Sequence, residues 1–414
     1  MTDKHIIVIG GGPAGMMAAI RAAGCKAQVT LIEKNDTLGK KLLLTGKGRC
    51  NLTNACGLDA FLKQFSKNGD FLRDACKVFF NKELMRFFKT RSVALKTEAQ
   101  ERVFPASDQA ETIVHALRSE LRARKVKILY NTQLKEILCK NGTVTGVKLK
   151  NAAALPCTRV ILATGGISYP LTGSTGEGMQ IAARLGHTLV PLRPGLLGLD
   201  TKEPYPKRLE GLALTNIRLT FTDGKKKVVS EKGELLFTGS GISGPLVVSL
   251  SGQIIDWLAD STRVWVEIDT KPTLSYEALD QLLLQEFHTN PTKLIKNILQ
   301  NIFPHRFVEL CLSLAHIAPT VSASRITRTD RTKITEFAKR LKLEITKPLA
   351  PEKAMITRGG ILLKNINPKT MESRIIKGLY FAGEMMDIDG NTGGFNLQAA
   401  FSTGYLAGQS AAEE

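Results

Sequence analysis

The sequence lacks long hydrophobic runs, paired cysteines and histidine motifs, and each absence argues against a class of protein. No apolar stretch approaches the ~20 residues of a membrane-spanning helix. The seven cysteines are scattered without a CxxC pair, which is typical of reduced thiols and argues against a disulfide framework or a zinc site. The six histidines show no HxxxH spacing, so we expect no metal. No basic, cleavable leader precedes the first strand, and we expect a cytoplasmic protein.

Acidic residues are also scarce. The chain has 38 Asp and Glu but 57 Lys and Arg, which gives a net charge of +19. A dinucleotide cofactor needs only a local positive field, so it does not explain this excess. Two interpretations stay open: a polyanionic partner such as RNA, or a Lys-rich solubilising surface. The strongest local excess lies at 291–347, with eleven Lys and Arg against four Asp and Glu. Within it, the candidate RNA-binding residues are Arg325, Arg328, Arg331 and Lys333.

The clearest motif opens the chain, where an apolar run from His5 meets Gly10-x-Gly12-x-x-Gly15 and turns into a Met/Ala-rich helix. These glycines allow a tight turn, close approach of a pyrophosphate and close packing of helix on strand. The helix start offers N–H groups and a positive dipole to phosphates. A second strand ends in Glu33, about 20 residues on, where an acid holds a ribose hydroxyl. The combination predicts dinucleotide binding.

A second candidate segment is the basic, Gly-rich loop that follows Glu33 and runs to Asn54. It contains Lys41, Thr45, Gly46 and the run Gly48-Arg49-Cys50-Asn51. Such a loop can present backbone N–H groups and cations to phosphate or to an electron-rich ring. The alternative is a plain surface loop.

Two further strands end in residues suited to a cofactor. One ends at Ala163-Thr164-Gly165 and the other at Gly383-Glu384. An acid at a strand end suits ribityl hydroxyls, and the Gly-Gly start of the last helix suits the electron-rich side of a flavin. The Gly-rich stretch 173–178 allows a second phosphate loop, but its spacing does not match GxGxxG.

Composition divides the chain into segments, as expected for 414 residues. The boundaries we predict are 1–193 for a first α/β part, 194–274 for an antiparallel β unit, 275–347 for a basic helical subdomain and 348–414 for the second α/β part.

Three long blocks resemble the signature of the YhiN/BaiN/RdsA family of bacterial flavoproteins, which are of the two-dinucleotide-binding-domain type. They are Gly39-Lys-Lys-Leu with Gly48-Arg-Cys-Asn-x-Thr-Asn54, Phe237-Thr-x-x-Gly-Ile-Ser-Gly-Pro245, and Gly383-Glu-x-x-Asp-x-x-Gly-x-x-Gly-Gly-Phe-Asn-Leu-Gln398. The resemblance implies an α/β fold, with a Rossmann-like FAD-binding domain built from both chain ends. It also implies an inserted small β-barrel-like unit and a helical subdomain. One departure is Phe395, where many relatives carry Tyr and its hydroxyl.

The motifs and the resemblance together nominate a set of FAD-binding residues. They are Gly10, Gly12, Pro13, Ala14, Gly15, Glu33, Lys34, Lys41, Thr45, Gly46, Gly48, Arg49, Cys50, Asn51, Leu134, Ala163, Thr164, Gly165, Gly383, Glu384, Gly394, Phe395, Asn396 and Leu397. Cys50 is also the candidate catalytic acid, since a thiol carries a proton at neutral pH. Two alternatives argue against an acid role for Cys50. The neighbouring Arg49 could favour the thiolate form, or Cys50 could be a small residue packed under the flavin.

The resemblance also implies an activity, the flavin-dependent reduction of an activated C=C bond with NAD(P)H as reductant. Activities in the family include dihydrouridine formation in ribosomal RNA and reduction of unsaturated bile-acid ketones. The first would also account for the positive charge, and a uracil flipped out of its stack would suit a deep pocket. A non-catalytic FAD-binding, RNA-associated protein is the third hypothesis.

Overall fold

The computed structural model describes residues 4–151, 153–260, 263–349 and 354–413. The chain divides into two compact units. Unit 1 joins the two chain ends, Met1–Gly195 and Glu352–Glu414, and unit 2 is the insertion Leu196–Pro351. Within the described ranges, no helix combines the length and the apolarity needed to cross a membrane.

The secondary structure is numbered here in chain order. The strands are β1 (His5–Ile9), β2 (Gln28–Ile32), β3 (Thr53–Asn54), β4 (Leu95–Glu98), β5 (Arg102–Pro105), β6 (Lys127–Leu129), β7 (Leu134–Lys140), β8 (Thr143–Leu149), β9 (Leu155–Pro156), β10 (Arg159–Leu162), β11 (Leu189–Gly195), β12 (Leu199–Thr201), β13 (Ala213–Thr222), β14 (Lys227–Val229), β15 (Gly233–Phe237), β16 (Gly241–Ser243), β17 (Val264–Asp269), β18 (Leu341–Pro348), β19 (Ile356–Ile361) and β20 (Leu379–Phe381). The helices are α1 (Pro13–Gly24), α2 (Lys40–Leu44), α3 (Leu58–Leu62), α4 (Arg73–Val78), α5 (Asn81–Lys89), α6 (Ala110–Ala123), α7 (Glu177–Arg184), α8 (Pro245–Asp260), α9 (Tyr276–Thr289), α10 (Ile295–Gln300), α11 (His305–Ala315), α12 (Arg328–Arg340) and α13 (Phe395–Glu413).

Unit 1 is built on a parallel sheet with the order β20-β10-β1-β2-β6. Its central strand β1 is a run of Ile and Val that is buried on both faces, as the strands of covered parallel sheets are. The edge strand β20 comes from the C-terminal part of the chain, so both chain ends are needed to complete the sheet.

The helices α1 and α13 pack against each other, and glycines bring their backbones close. A Cβ atom added at Gly404 would lie 2.2 Å from the carbonyl oxygen of Ala14, and one at Gly408 would lie 2.3 Å from that of Ala18. On its other side, α13 packs against α4 and α5 through aromatic contacts. Phe79 stacks on Tyr405 with ring centroids 4.3 Å apart. The C-terminal helix is therefore part of the core of unit 1.

Smaller antiparallel sheets complete unit 1. They are β3-β5-β4, β7-β8-β9 and the pair β11-β19. The strands β4 and β5 pair antiparallel, and α6 follows them in the chain.

Unit 2 contains a closed six-stranded barrel, since the order β13-β15-β16-β12-β18-β17 ends with β17 pairing back onto β13. The helices α9 to α12 lie between β17 and β18 in the chain. The α/β class, with a barrel and helices inserted between two parts of a parallel-sheet domain, is confirmed. One boundary differs: residues 341–347, assigned from sequence to the helical subdomain, form β18, because Leu341, Leu343 and Ile345 alternate into the barrel core.

Candidate dinucleotide-binding site

A large cavity lies in unit 1 at the edge where the parallel strands end. Its wall includes the residues that follow four of these strands, Gly10, Glu33, Ala163 and Ala382. The cavity encloses about 1520 Å³, counting the part open to solvent. Ligands of open α/β sheets bind outside the carboxyl ends of the strands, so the fold itself places a ligand site here.

The glycines of the first turn have three different surroundings. Gly10 has a φ of +105°, and a Cβ atom there would lie 2.5 Å from the carbonyl oxygen of Ala163. At Gly15 a Cβ atom would lie 1.9 Å from the carbonyl oxygen of Gly10, so this glycine lets α1 approach β1. At Gly12 a Cβ atom would meet no atom of the described residues within 4 Å. The backbone at Gly12 is therefore open toward the cavity, next to a helix start that no side chain caps.

Glu33 is fixed beside this turn and is 7% exposed. One carboxylate oxygen accepts the N–H of Gly11 at 2.7 Å, and the other accepts the backbone N–H and the side-chain amide of Asn35, both at 2.8 Å. Three donors hold the carboxylate in one orientation on the cavity wall. An acid held in this way can accept a further hydrogen bond from a ligand hydroxyl.

Several residues beside Glu33 were not nominated from the sequence. Lys34 Nζ donates to Thr175 Oγ1 at 2.9 Å, and the side chain of Gln133 donates to Glu177 Oε2 at 2.5 Å. The stretch Thr172–Gly178 lines the cavity, as do Asn35 and Thr132. The glycines at 173–178 were the available signal, and only their unfamiliar spacing kept them from the nominated set.

A second polar group joins Lys41 and Glu384, which are 343 residues apart in the chain. Lys41 Nζ lies 2.5 Å from Glu384 Oε2 and 2.6 Å from Ser168 Oγ. The other oxygen of Glu384 accepts the N–H of Thr357 at 2.7 Å and the hydroxyl of Ser168 at 2.9 Å. The Lys41 and Glu384 side chains stay 21% and 22% exposed, so both can still contact a ligand.

The start of α13 forms another part of the wall through Asn396 and Leu397. The side chain of Asn396 accepts the N–H of Gly390 at 2.9 Å and donates to its carbonyl oxygen at 2.7 Å, which ties the preceding loop to the helix. Gly394 has a φ of +96°, and a Cβ atom there would lie 2.4 Å from Thr53. The ring of Phe395 packs on that of Phe61, with the ring centroids 5.6 Å apart, so Phe395 fills an apolar site.

The structure brings most of the nominated FAD-binding residues to one cavity. The lining ones are Gly10, Gly12, Pro13, Ala14, Glu33, Lys34, Lys41, Thr45, Leu134, Ala163, Thr164, Gly165, Gly383, Glu384, Asn396 and Leu397. The others, Gly15, Gly46, Gly48, Arg49, Cys50, Asn51, Gly394 and Phe395, are not in its wall. Their roles as ligand contacts stay predictions.

Cys50 and Arg49 differ from the expected arrangement. Cys50 is 0% exposed in the core, and burial raises the pKa of its thiol from 9.0 to about 12, against a smaller opposite effect of the hydrogen bond to Thr45. The guanidinium of Arg49 pairs with Glu98 and with Asp108, so it does not favour a thiolate at Cys50. The neutral, buried thiol favours the packing interpretation over the acid.

The nominated RNA-binding residues of unit 2 fall into two groups. Arg325, Arg328 and Lys333 are exposed. Arg331 is 12% exposed, and its Nε lies 2.8 Å from Asp280 Oδ1. Arg331 therefore joins α12 to α9 and is not a free cation.

The parallel sheet, the glycine turn and the acid after β2 define a Rossmann-like fold of the FAD-binding type. A protein-family model described as "HI0933-like protein Rossmann domain" matches residues 4–410. The chain therefore belongs to the HI0933-like family, as its resemblance to the YhiN/BaiN/RdsA proteins predicted.

Relatives and a solved structure agree with this assignment. The chain is 33% identical to the 3-dehydro-bile acid delta(4,6)-reductase of Clostridium scindens, over 99% of both chains. It is 30% identical to the ribosomal RNA dihydrouridine synthase of Haemophilus influenzae, over 96% of both chains. The 3-ketosteroid delta1-dehydrogenase of Sterolibacterium denitrificans superposes with a TM-score of 0.53 at 14% identity, covering 98% of this chain and 99% of that one. The last likeness is one of fold alone. The family is one of oxidoreductases.

Proposed function

We propose that this protein is an FAD-dependent oxidoreductase that reduces a C=C bond conjugated to a carbonyl group. The observation that carries the proposal is the open backbone at Gly12, beside the fixed carboxylate of Glu33 and the uncapped start of α1. A dinucleotide requires these three features together: space for a pyrophosphate, N–H groups and a positive dipole to bind it, and an acceptor for a ribose hydroxyl.

The residues present fit FAD along the whole cavity. Bound FAD would supply hydride transfer. Glu33 would hold the adenosine ribose, and Lys41 with Glu384 would orient the hydroxyls of the ribityl chain. The start of α13, whose first turn holds no acid, would stabilise negative charge on the pyrimidine side of the ring. We propose NADH or NADPH as the reductant.

Our proposed substrate is uridine in ribosomal RNA, reduced to dihydrouridine in the cytoplasm. It is supported by the relative named as a ribosomal RNA dihydrouridine synthase and by the net charge of +19. The C5=C6 bond of uracil is conjugated to a carbonyl group, so it can accept a hydride and a proton.

The second candidate is a small-molecule enone of the steroid type. The observation that favours it is the 33% identity to the bile-acid reductase over nearly the whole chain. The same hydride chemistry serves both substrates.

One assay separates these functions. The purified protein is incubated with NADH or NADPH and either unmodified ribosomal RNA transcripts or a 3-keto-4-ene steroid, and products are identified by mass spectrometry. We expect non-covalently bound FAD and dihydrouridine in the RNA. Reduction of the steroid alone would transfer the function to the second candidate. Bound FAD without turnover of either substrate would indicate a non-catalytic protein, and absence of FAD after reconstitution would contradict the proposal.

A further inference from the structure

The positive charge is concentrated in unit 1. By the unit boundaries, unit 1 holds 36 of the 57 Lys and Arg and 21 of the 38 Asp and Glu, an excess of 15, whereas unit 2 has an excess of only 4. The basic stretch 291–347 is therefore balanced by acids elsewhere in its own unit. A polyanion attracted by this protein should meet its strongest field at unit 1.

Many cations of unit 2 also serve its own structure. Lys339 Nζ lies 2.7 Å from Asp269 Oδ2 and donates to two backbone carbonyl oxygens. Arg306 donates to the carbonyl oxygens of Arg208 and Glu210, and Lys296 pairs with Glu309 at 3.0 Å. Moving these side chains onto phosphates would break contacts that hold the helices together.

One segment of unit 1 has the opposite character. Within 63–89, six cations are exposed, and in the described part of the chain none of them forms an ion pair or a side-chain hydrogen bond. They are Lys63, Lys67, Lys77, Lys82, Arg86 and Lys89. The seventh cation of the segment, Arg73, pairs with Asp59 and Asp70. These six charges can neutralise phosphates without breaking an ion pair or a side-chain hydrogen bond among the described residues.

Three of these cations form a fixed stripe on α5. Lys82, Arg86 and Lys89 are spaced i, i+4, i+7, so they share one face over about 10 Å of helix. The opposite face is anchored by the buried Leu84 and Phe88. The stripe is thus held on a packed helix and presents charge without exposed apolar residues, which a membrane-surface helix would need.

The segment also reaches the candidate site. The N–H of Ser66 donates to the carbonyl oxygen of Asp389 at 3.0 Å, and its hydroxyl donates to the carboxylate of Asp389 at 2.9 Å. Lys67 lies close enough to Asp387 to interact with its carboxylate. Asp387 itself stands between Met386 and Ile388, which line the cavity. The segment that carries these cations is therefore joined, beside Lys67, to a loop that lines the cavity, and it continues in the chain through α4 and α5.

We propose that the 63–89 segment, with the Lys82–Arg86–Lys89 stripe at its centre, is the surface that binds the phosphate backbone of an RNA substrate. This assignment rests on the proposed ribosomal RNA activity. It moves the RNA contact from the helices of unit 2 to the unit that holds the candidate cavity.

The test uses two matched triple variants of the full-length flavoprotein. Lys82→Ala/Arg86→Ala/Lys89→Ala removes the stripe. Arg122→Ala/Lys125→Ala/Lys127→Ala removes the same residue types from a second exposed cluster, where α6 ends and β6 begins, and for which the described residues show no ion pair. Binding of unmodified ribosomal RNA transcripts is measured by filter retention across a salt series, and flavin content and thermal midpoint serve as folding controls.

We expect the stripe variant to bind RNA about tenfold more weakly, with a slope of log affinity against log salt that is flatter by about two units, roughly 0.7 for each lost phosphate contact. The control variant should bind within about threefold of the wild type. Equal losses in both variants, or none in the stripe variant, would overturn the assignment. The assignment would also be overturned if the stripe were needed for binding to poly-L-glutamate or to phosphatidylglycerol vesicles but not for binding to RNA.

The outcomes distinguish this proposal from the proposed function. If the wild type forms no dihydrouridine but removal of the stripe lowers the affinity for RNA, the proposed RNA surface stands and the substrate assignment fails. If dihydrouridine forms equally in the wild type and the stripe variant at limiting RNA concentration, the surface is wrong and the function stands.

Discussion

Gly12 and Gly15 lie three residues apart in one turn, yet an added methyl group meets different surroundings at each. Gly12 has φ −79° and ψ −178°, which alanine adopts without strain, and its Cβ atom would point into open space. We therefore expect Gly12→Ala to leave the stability of the apoprotein within about 0.5 kcal/mol of the wild type. Affinity for FAD should fall by about tenfold or more, because the methyl group occupies the space through which a pyrophosphate approaches.

Gly15→Ala is the matched comparison. Its Cβ atom would overlap the carbonyl oxygen of Gly10 at 1.9 Å, so β1 and α1 must separate. Overpacking of this kind costs about 1–3 kcal/mol or more. Urea unfolding of both apoproteins, with fluorescence titration of FAD, makes the comparison. A Gly12→Ala protein that binds FAD normally would show that the pyrophosphate lies elsewhere.

Cys50 allows a test of the proton donor. Because its thiol is buried and its pKa is about 12, we expect Cys50→Ser to leave flavin reduction by the proposed reductant, NAD(P)H, and reoxidation by substrate both within about twofold of the wild type. Rapid mixing under anaerobic conditions measures the two half-reactions separately. Normal reduction combined with slow reoxidation would instead assign the proton to Cys50. Cys76→Ser, another buried thiol with a pKa of about 12, controls for the packing loss.

At the scale of elements, the sequence predicted those whose signals are local. β1, the glycine turn and α1 followed from an apolar run that meets fixed glycine spacing, and Glu33 followed from its distance to that turn. Contacts between distant segments had no such signal. The pairing of Lys41 with Glu384 depends on both chain ends joining one sheet, so the two residues could be nominated singly but not as a pair.

The elements that sequence reasoning missed show why local pattern is insufficient. The helix α8 is rich in Val and Ile, which favour strands, yet Val247, Ser251 and Ile254 are buried at helical spacing. The strand β18 follows α12 without an intervening turn, so no Gly or Pro marks the change. In both cases burial against the barrel of unit 2 decides the structure.

At the scale of the whole molecule, the buried cysteines make the free energy of unfolding depend on pH. All seven thiols are unpaired. Cys50, Cys76, Cys157 and Cys311 are buried, and burial raises the pKa of each from 9.0 to about 12. The protein thus holds four buried, neutral thiols, three in unit 1 and one in unit 2, that ionise far more readily in the unfolded chain than in the folded one.

We therefore expect the contribution of these thiols to stability to be constant below about pH 8 and to fall as pH rises toward 12. In that window the unfolded state releases the thiol protons and the folded state retains them, so each buried thiol lowers the free energy of unfolding by about 1 kcal/mol between pH 8 and pH 10. Urea unfolding at the two pH values measures the loss. Cys311→Ala should reduce it by about 1 kcal/mol, whereas Cys139→Ala, which removes an exposed thiol, should retain most of it. An identical alkaline loss in wild type and Cys311→Ala would mean that the Cys311 thiol ionises in the folded protein, and that water reaches a core which the structure shows as closed.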